Sequence, residues 1–207
     1  MRTRIKICGI TRKADALAAA SLGADAVGFI FWRPSERFIE PAAAGAIARE
    51  LPALITPVAV FVNPAAEEVE SVISQVPLAL LQFHGDEAPE FCERFGRAYI
   101  KAARMRPGTD LIKYLSAYGS ACAWMADTYH EGMPGGTGSA FDWDRVPRNL
   151  ARPLVLSGGL AAGNVGEAVR RLHPWAVDVS SGVEIGKGIK DAAMIAAFIA
   201  GVRRADR

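Results

Sequence analysis

Three observations predict an α/β chain folded as a single (β/α)8 TIM barrel with a parallel eight-stranded core. Short β-rich apolar runs recur at intervals of about twenty to thirty residues, at 4–8, 26–31, 57–62, 79–83, 99–102, 121–126, 153–156 and 176–179. Helix-period segments follow them, and that alternation is the mark of βαβ units around a parallel sheet. Several runs are apolar without polar alternation, as strands covered on both faces are. With 207 residues, 51% of them hydrophobic, the chain suffices for one closed barrel; no stretch reads as a linker, so one domain over 1–207 is expected.

In chain order, the run at 4–8 leads into an Ala-rich stretch at 14–20, and the run at 26–31 into another at 42–48. Both have good intrinsic helix propensity. Val69, Val72, Ile73 and Val76 then recur at i, i+3, i+4, i+7, as do Val165, Ala168, Val169 and Leu172, and Ile195, Phe198, Ile199 and Val202. Each stripe is one apolar helix face. The interval 128–140 is polar, Gly-rich and without period, which makes it a candidate lid. An open doubly wound sheet shares the βα alternation, but here Cys8-Gly-Ile-Thr11 follows the first strand in place of a G-x-G-x-x-G loop, which favours the closed barrel.

Twenty-four basic and 22 acidic residues are spread along the chain for a formal net charge of +2, so no stripe forms for nucleic acid or membrane. Arg203, Arg204 and Arg207 follow an apolar helical stripe and read as cations offsetting a helix C-terminus. Cys8, Cys92 and Cys122 are too few and too scattered for a disulfide framework or a zinc site. The segment 1–8 lacks a signal-peptide core and no apolar stretch is long enough to span a bilayer, so a cytoplasmic location is expected.

Barrels carry their chemistry at the C-terminal ends of strands and in the following loops. Three glycine-rich pieces occupy such places: Gly135-Gly136-Thr137-Gly138 after the sixth run, Gly158-Gly159 after the seventh, and Ser180-Ser181-Gly182 after the eighth. Backbone N–H groups there can turn toward an anion, and the last two loops are the usual phosphate seat of a barrel. Cys8 ends the first strand facing that seat, where a thiolate can act as a base; its plainer reading is a small core hydrophobe. Asp127 closes the apolar run of the sixth strand, and loss of hydration there suits its carboxyl to general-acid work, against a helix cap or ion-pair partner. Arg37, after the second strand, has the planar fork that grips a carboxylate, or is a surface arginine. Gln82 and His84 end the fourth strand and Asp178 lies in the eighth; His84 reads as an orienting group or a satisfied hydrogen-bonding residue. His130 and His173 lack ligand-like spacing, so no metal is expected.

Taken in order, Lys6-Ile-Cys8-Gly-Ile-Thr11, Gly28-Phe-Ile-Phe31 with Ser35-Glu-Arg37, Gln82-Phe-His-Gly85, Gly135-Gly-Thr-Gly138 with Phe141-Asp-Trp143, Leu156-Ser-Gly-Gly-Leu160 and Asp178-Val-Ser-Ser-Gly-Val-Glu184 closely resemble the phosphoribosylanthranilate isomerase family from Lys6 to Asp191. Phe38 stands where that family often has Tyr, and Lys187 where it often has Pro. The resemblance implies a cofactor-free Amadori rearrangement of N-(5-phosphoribosyl)anthranilate in tryptophan biosynthesis, by a monomer or homodimer. It implies Asp127 as the acid on the furanose ring oxygen and Cys8 as the base at the sugar C2. Arg37 would hold the anthranilate carboxylate and Asp178 a sugar hydroxyl, with Gln82 and His84 beside the substrate. Backbone groups of Gly158, Gly159, Ser180, Ser181 and Gly182 would hold the phosphate.

Other phosphate-binding barrels compete with this reading. A pentose-phosphate epimerase would want paired acids with metal-binding histidines, and an indole-glycerol-phosphate synthase a lysine acid, for which Lys101 after the fifth strand is the sole support. A non-catalytic sensor would keep the clamp and cradle but lose acid and base, both of which are present.

Overall fold

The computed structural model describes residues 2–106, 108–128 and 142–207. Eight parallel strands close on one another in chain order: β1 Arg4–Cys8, β2 Ala26–Ile30, β3 Thr56–Phe61, β4 Leu80–Phe83, β5 Tyr99–Met105, β6 Ala123–Thr128, β7 Leu154–Leu156 and β8 Ala176–Val179. The seam between β1 and β8 pairs Lys6 with Asp178 and Ile7 with Val179, which closes the expected barrel. Helices α1 Lys13–Leu22, α2 Pro41–Ala48, α3 Ala66–Gln75, α4 Pro89–Glu93, α5 Leu111–Leu115, α6 Val165–Leu172 and α7 Ala192–Ala205 occupy the crossovers.

Local chemistry sets the helix ends. α2 and α4 open on proline, whose fixed φ suits the first turn. Asp191 starts α7 by accepting from Met194 N at 2.8 Å, and Asp110 starts α5 by accepting from Lys113 N at 3.0 Å. α1 stops at Gly23, which takes a left-handed φ of 101° and donates back to the Ala19 and Ala20 carbonyls.

Two features of this frame bear on the site. The sixth strand runs to Thr128, because β5 continues to Met105 and the pair keeps register as far as Arg104↔Asp127 and Met105↔Thr128. Asp127 is therefore a strand residue aimed by the pleat. Between β6 and β7 the described residues, which resume at Asp142, hold a 3-10 turn, Trp143–Arg145. Gly135, Gly136, Thr137 and Gly138, with the candidate lid from 129 onward, lie outside the described residues.

Side-chain alternation divides the interior into two apolar layers. Ile100, Ala102, Ala123, Met125, Val155 and Ala176 pack inside the barrel. The larger layer lies between strands and helices, where Phe83 stacks among Phe61, Phe91, Phe95 and Tyr99. Toward the strand C-termini the inner layer turns polar with Lys6, Gln82, Asp127, Ser157 and Asp178, all buried. Among the described residues no helix is long and apolar enough to cross a membrane.

Candidate active site

At the C-terminal mouth, Cys8, Arg37, Gln82, His84, Asp127, Gly158, Gly159, Asp178, Ser180 and Ser181 line one cavity of about 310 Å³. Strand ends separated by more than a hundred residues thus converge on one small chamber.

Asp127 is 3% exposed, and both of its oxygens are engaged. Oδ1 accepts from the Thr128 N–H at 2.9 Å, while Oδ2 meets His84 Nε2 at 2.8 Å. Gln82 Nε2 lies 3.0 Å from His84 Nδ1. An amide donating to Nδ1 puts the imidazole proton on Nε2, from which it is donated to Asp127. Residues 82, 84 and 127 therefore form one chain that fixes the direction of the carboxyl.

Cys8 lines the same cavity. Burial pushes its thiol up, the nearby Lys6 and Lys190 cations pull it down, and Asp178 pushes it up again; the balance is upward. Cys92, buried in α4, is pushed up to about 12 by burial, and Cys122 stands just ahead of β6 with Sγ 3.1 Å from the Tyr99 carbonyl. Neither lines the cavity.

Arg37 is buried against Glu184, donating Nε to Oε1 at 2.9 Å and Nη2 to Oε2 at 2.8 Å. Lys190 donates to the same Glu184 Oε1 at 2.6 Å and to the Ser180 carbonyl at 3.1 Å. Burial alone would raise Glu184, but hydrogen bonds from Arg37 and Lys190 outweigh it and hold the carboxyl below its usual range. One edge of the Arg37 fork is thus anchored while the side chain still borders the cavity.

The phosphate-type loops lie side by side. Gly158 and Gly159 have φ of 87° and 63°, and a Cβ at 158 would sit 2.1 Å from Thr128 Oγ1. Only glycine meets both demands. Gly182 differs from the expectation in one respect: it packs against the Leu160 carbonyl and does not line the cavity.

Asp178 borders the cavity but is already engaged, accepting from Lys6 Nζ at 2.7 Å and from Ser157 Oγ at 3.2 Å. Lys6, Glu184 and Lys190 had no role in the sequence reading. Lys6 was discoverable, since it precedes Cys8 by two residues on one strand and so shares its inward face. Lys101 is corrected: it lies within β5, wholly buried outside the barrel interior, bonded to the Gly85 carbonyl at 2.6 Å and Glu87 Oε2 at 2.7 Å. It lines no part of the cavity. Among the described residues no group of three or more His, Cys, Asp and Glu side chains is arranged to hold a metal ion.

A closed barrel with a thiol, an oriented carboxyl, a guanidinium and two glycine-rich loops in one chamber defines a phosphate-handling (β/α)8 enzyme of the acid–base kind. The family model described as N-(5'phosphoribosyl)anthranilate (PRA) isomerase matches residues 5–201, and the chain belongs to that family. A curated N-(5'-phosphoribosyl)anthranilate isomerase from Nitrosospira multiformis is 59% identical, covering 98% of this chain and 97% of the relative. The crystal structure of phosphoribosyl anthranilate isomerase from Thermotoga maritima is 40% identical at a TM-score of 0.87, covering 98% and 99%. A structure of the isomerase in complex with reduced 1-(o-carboxyphenylamino)-1-deoxyribulose 5-phosphate is 39% identical, with a TM-score of 0.84 and the same coverage.

Proposed function

We propose that this chain catalyses the Amadori rearrangement of N-(5'-phosphoribosyl)anthranilate to 1-(2-carboxyphenylamino)-1-deoxyribulose 5-phosphate in tryptophan biosynthesis. It works in the cytoplasm, as a monomer or homodimer, without a cofactor. The observation that carries the reading is the shared cavity of Cys8 and Asp127 in a chain of this family.

Asp127, directed by His84, gives its proton to the furanose ring oxygen as the C1–O bond breaks, and the nitrogen lone pair forms the C1=N bond of the iminium. That cation acidifies the C2–H bond, so a thiolate of ordinary strength is base enough. Cys8 takes the C2 proton, the electron pair forms C1=C2, and the iminium π pair returns to nitrogen. Protonation at C1 and loss of the C2 hydroxyl proton complete the aminoketose. The substrate's own nitrogen is the electron sink, so the scheme needs no Lewis acid. Arg37 takes the anthranilate carboxylate on the edge turned away from Glu184, and the loops at Gly158, Gly159, Ser180 and Ser181, with Gly182 behind them, take the phosphate.

Adding purified protein to freshly generated phosphoribosylanthranilate without metal should extinguish the anthranilate fluorescence and yield a product of unchanged mass, separated by chromatography. Persistent fluorescence at micromolar protein would refute the reading.

A further inference from the structure

At the edge of the cavity lies a charge pair that this scheme leaves without a task. Lys6 donates to Asp178 Oδ1 at 2.7 Å, and the two side chains are only 5% and 6% exposed. Cys8 is paired in register with Gly28 of β2. A Cβ at Gly28 would lie 2.8 Å from Cys8 Sγ and 3.0 Å from Lys6 Nζ. Sulfur and ammonium therefore both border the space that a side chain at residue 28 would fill.

Forming a thiolate at a buried site is costly unless a cation stands near it. Around Cys8 the charged groups are Lys6 on its own strand, Asp178 from β8, Arg37 from the loop after β2, and Lys190, with Asp127 and His84 lining the same cavity. Arg37 and Lys190 share Glu184, and Lys6 has Asp178. Lys6, Arg37 and Lys190 thus outnumber Asp178 and Glu184 by one, so a thiolate at Cys8 would not leave this cluster negative. Arg37 is turned to Glu184 and has the substrate carboxylate to hold, and Lys190 is tied to Glu184 and the Ser180 turn. Lys6 is committed to Asp178 alone and stands on the strand of Cys8 itself.

We propose that Lys6 is a positioning residue for Cys8: its ammonium, tethered by Asp178, supplies the counter-charge that lets the thiolate exist inside the barrel. The inference rests on the reading of Cys8 as the base. Asp178 thereby gains the task of holding Lys6 in place. The interaction runs both ways, since burial disfavours the Lys6 charge while Asp178 and Cys8 together more than restore it.

The test follows the ultraviolet thiolate absorbance of the full chain against pH, with the Cys8→Ala curve subtracted so that Cys92 and Cys122 cancel. In Lys6→Met the Cys8 midpoint should rise by about one pH unit or more, with kcat at neutral pH falling by about tenfold or more and KM nearly unchanged. A merely structural Lys6 would lower Tm and leave the midpoint where it was, and that result overturns the proposal. Should Lys6→Met fail to fold because Asp178 is left unpaired, the double variant Lys6→Met, Asp178→Asn removes both charges together. There the midpoint should rise by less than in Lys6→Met, because Asp178 no longer pushes the thiol up, and an unmoved or lowered midpoint again overturns the proposal. If Cys8→Ala itself keeps near-normal turnover, the base reading falls and this inference with it. If Cys8→Ala is inactive while Lys6→Met matches the parent in midpoint and kcat, only the role of Lys6 falls.

Discussion

Two buried lysine–carboxylate pairs sit in this barrel, and they are built differently. Lys101 and Glu87, in the outer layer, are 0% and 2% exposed. Lys101 also donates to the Gly85 carbonyl, and Glu87 accepts from the N–H groups of Asn63 and Gly85, while Tyr118 donates to the Glu87 carbonyl at 2.7 Å. That pair is locked on all sides by backbone, so it holds the loop after β4 against β5. Lys6 and Asp178, in the inner layer, have fewer partners: Asp178 adds one Ser157 hydroxyl at 3.2 Å and borders the cavity, with Cys8 alongside. A saturated pair fixes a backbone, whereas an unsaturated one beside a cavity keeps its field and its lone pairs available for chemistry.

Several variants break or sharpen that contrast. Asp127→Asn lies on the cavity side and should lower kcat by about 10³-fold, within the range expected for a general acid, while binding of the reduced product analogue persists in a fluorescence titration. Lys101→Met lies on the structural side. It should cost about 3–5 kcal/mol of stability by stranding Glu87, read by urea unfolding, with kcat per folded molecule unchanged. A large kcat loss there would erase the distinction between the pairs. Glu184→Gln, which frees one edge of Arg37, should raise KM by about tenfold with a smaller change in kcat. The smallest effect is on acid stability. Because folding holds Glu184 below the ordinary carboxylate range of about 4.3, its charge stabilises the fold above that pH and the contribution is lost as pH falls through the lower folded value. Thermal melts of Glu184→Gln should therefore depend less on pH in the acid range than those of the parent.

Residues that act from strand ends were legible in the sequence because barrel topology gives those positions a destination. Cys8, Gln82, His84, Asp127 and Asp178 needed only the βα alternation to be aimed at one mouth, and the cavity collects them. The Arg37–Glu184 pair spans 147 residues and depends on how two loops fold over the mouth, which no local spacing encodes. Lys190 was hidden for the same reason, since its partners Ser180 and Glu184 are set by the hairpin of residues 184–186 with 189–190. Lys101 shows the opposite error. A lysine near a strand end suggested chemistry, but the pleat turns it outward beside Tyr118, away from the mouth. The length of the sixth strand escaped because the apolar run stops at Ala126, while hydrogen bonding with β5 continues through Asp127.

The central claim, that one thiol and one carboxyl handle two protons of a single sugar inside one cavity, is tested most directly by single-turnover fluorescence decay with Cys8→Ala. This variant should bind the reduced product analogue about as tightly as the parent yet convert phosphoribosylanthranilate at least about 10²-fold more slowly. Decay at the parental rate would contradict it.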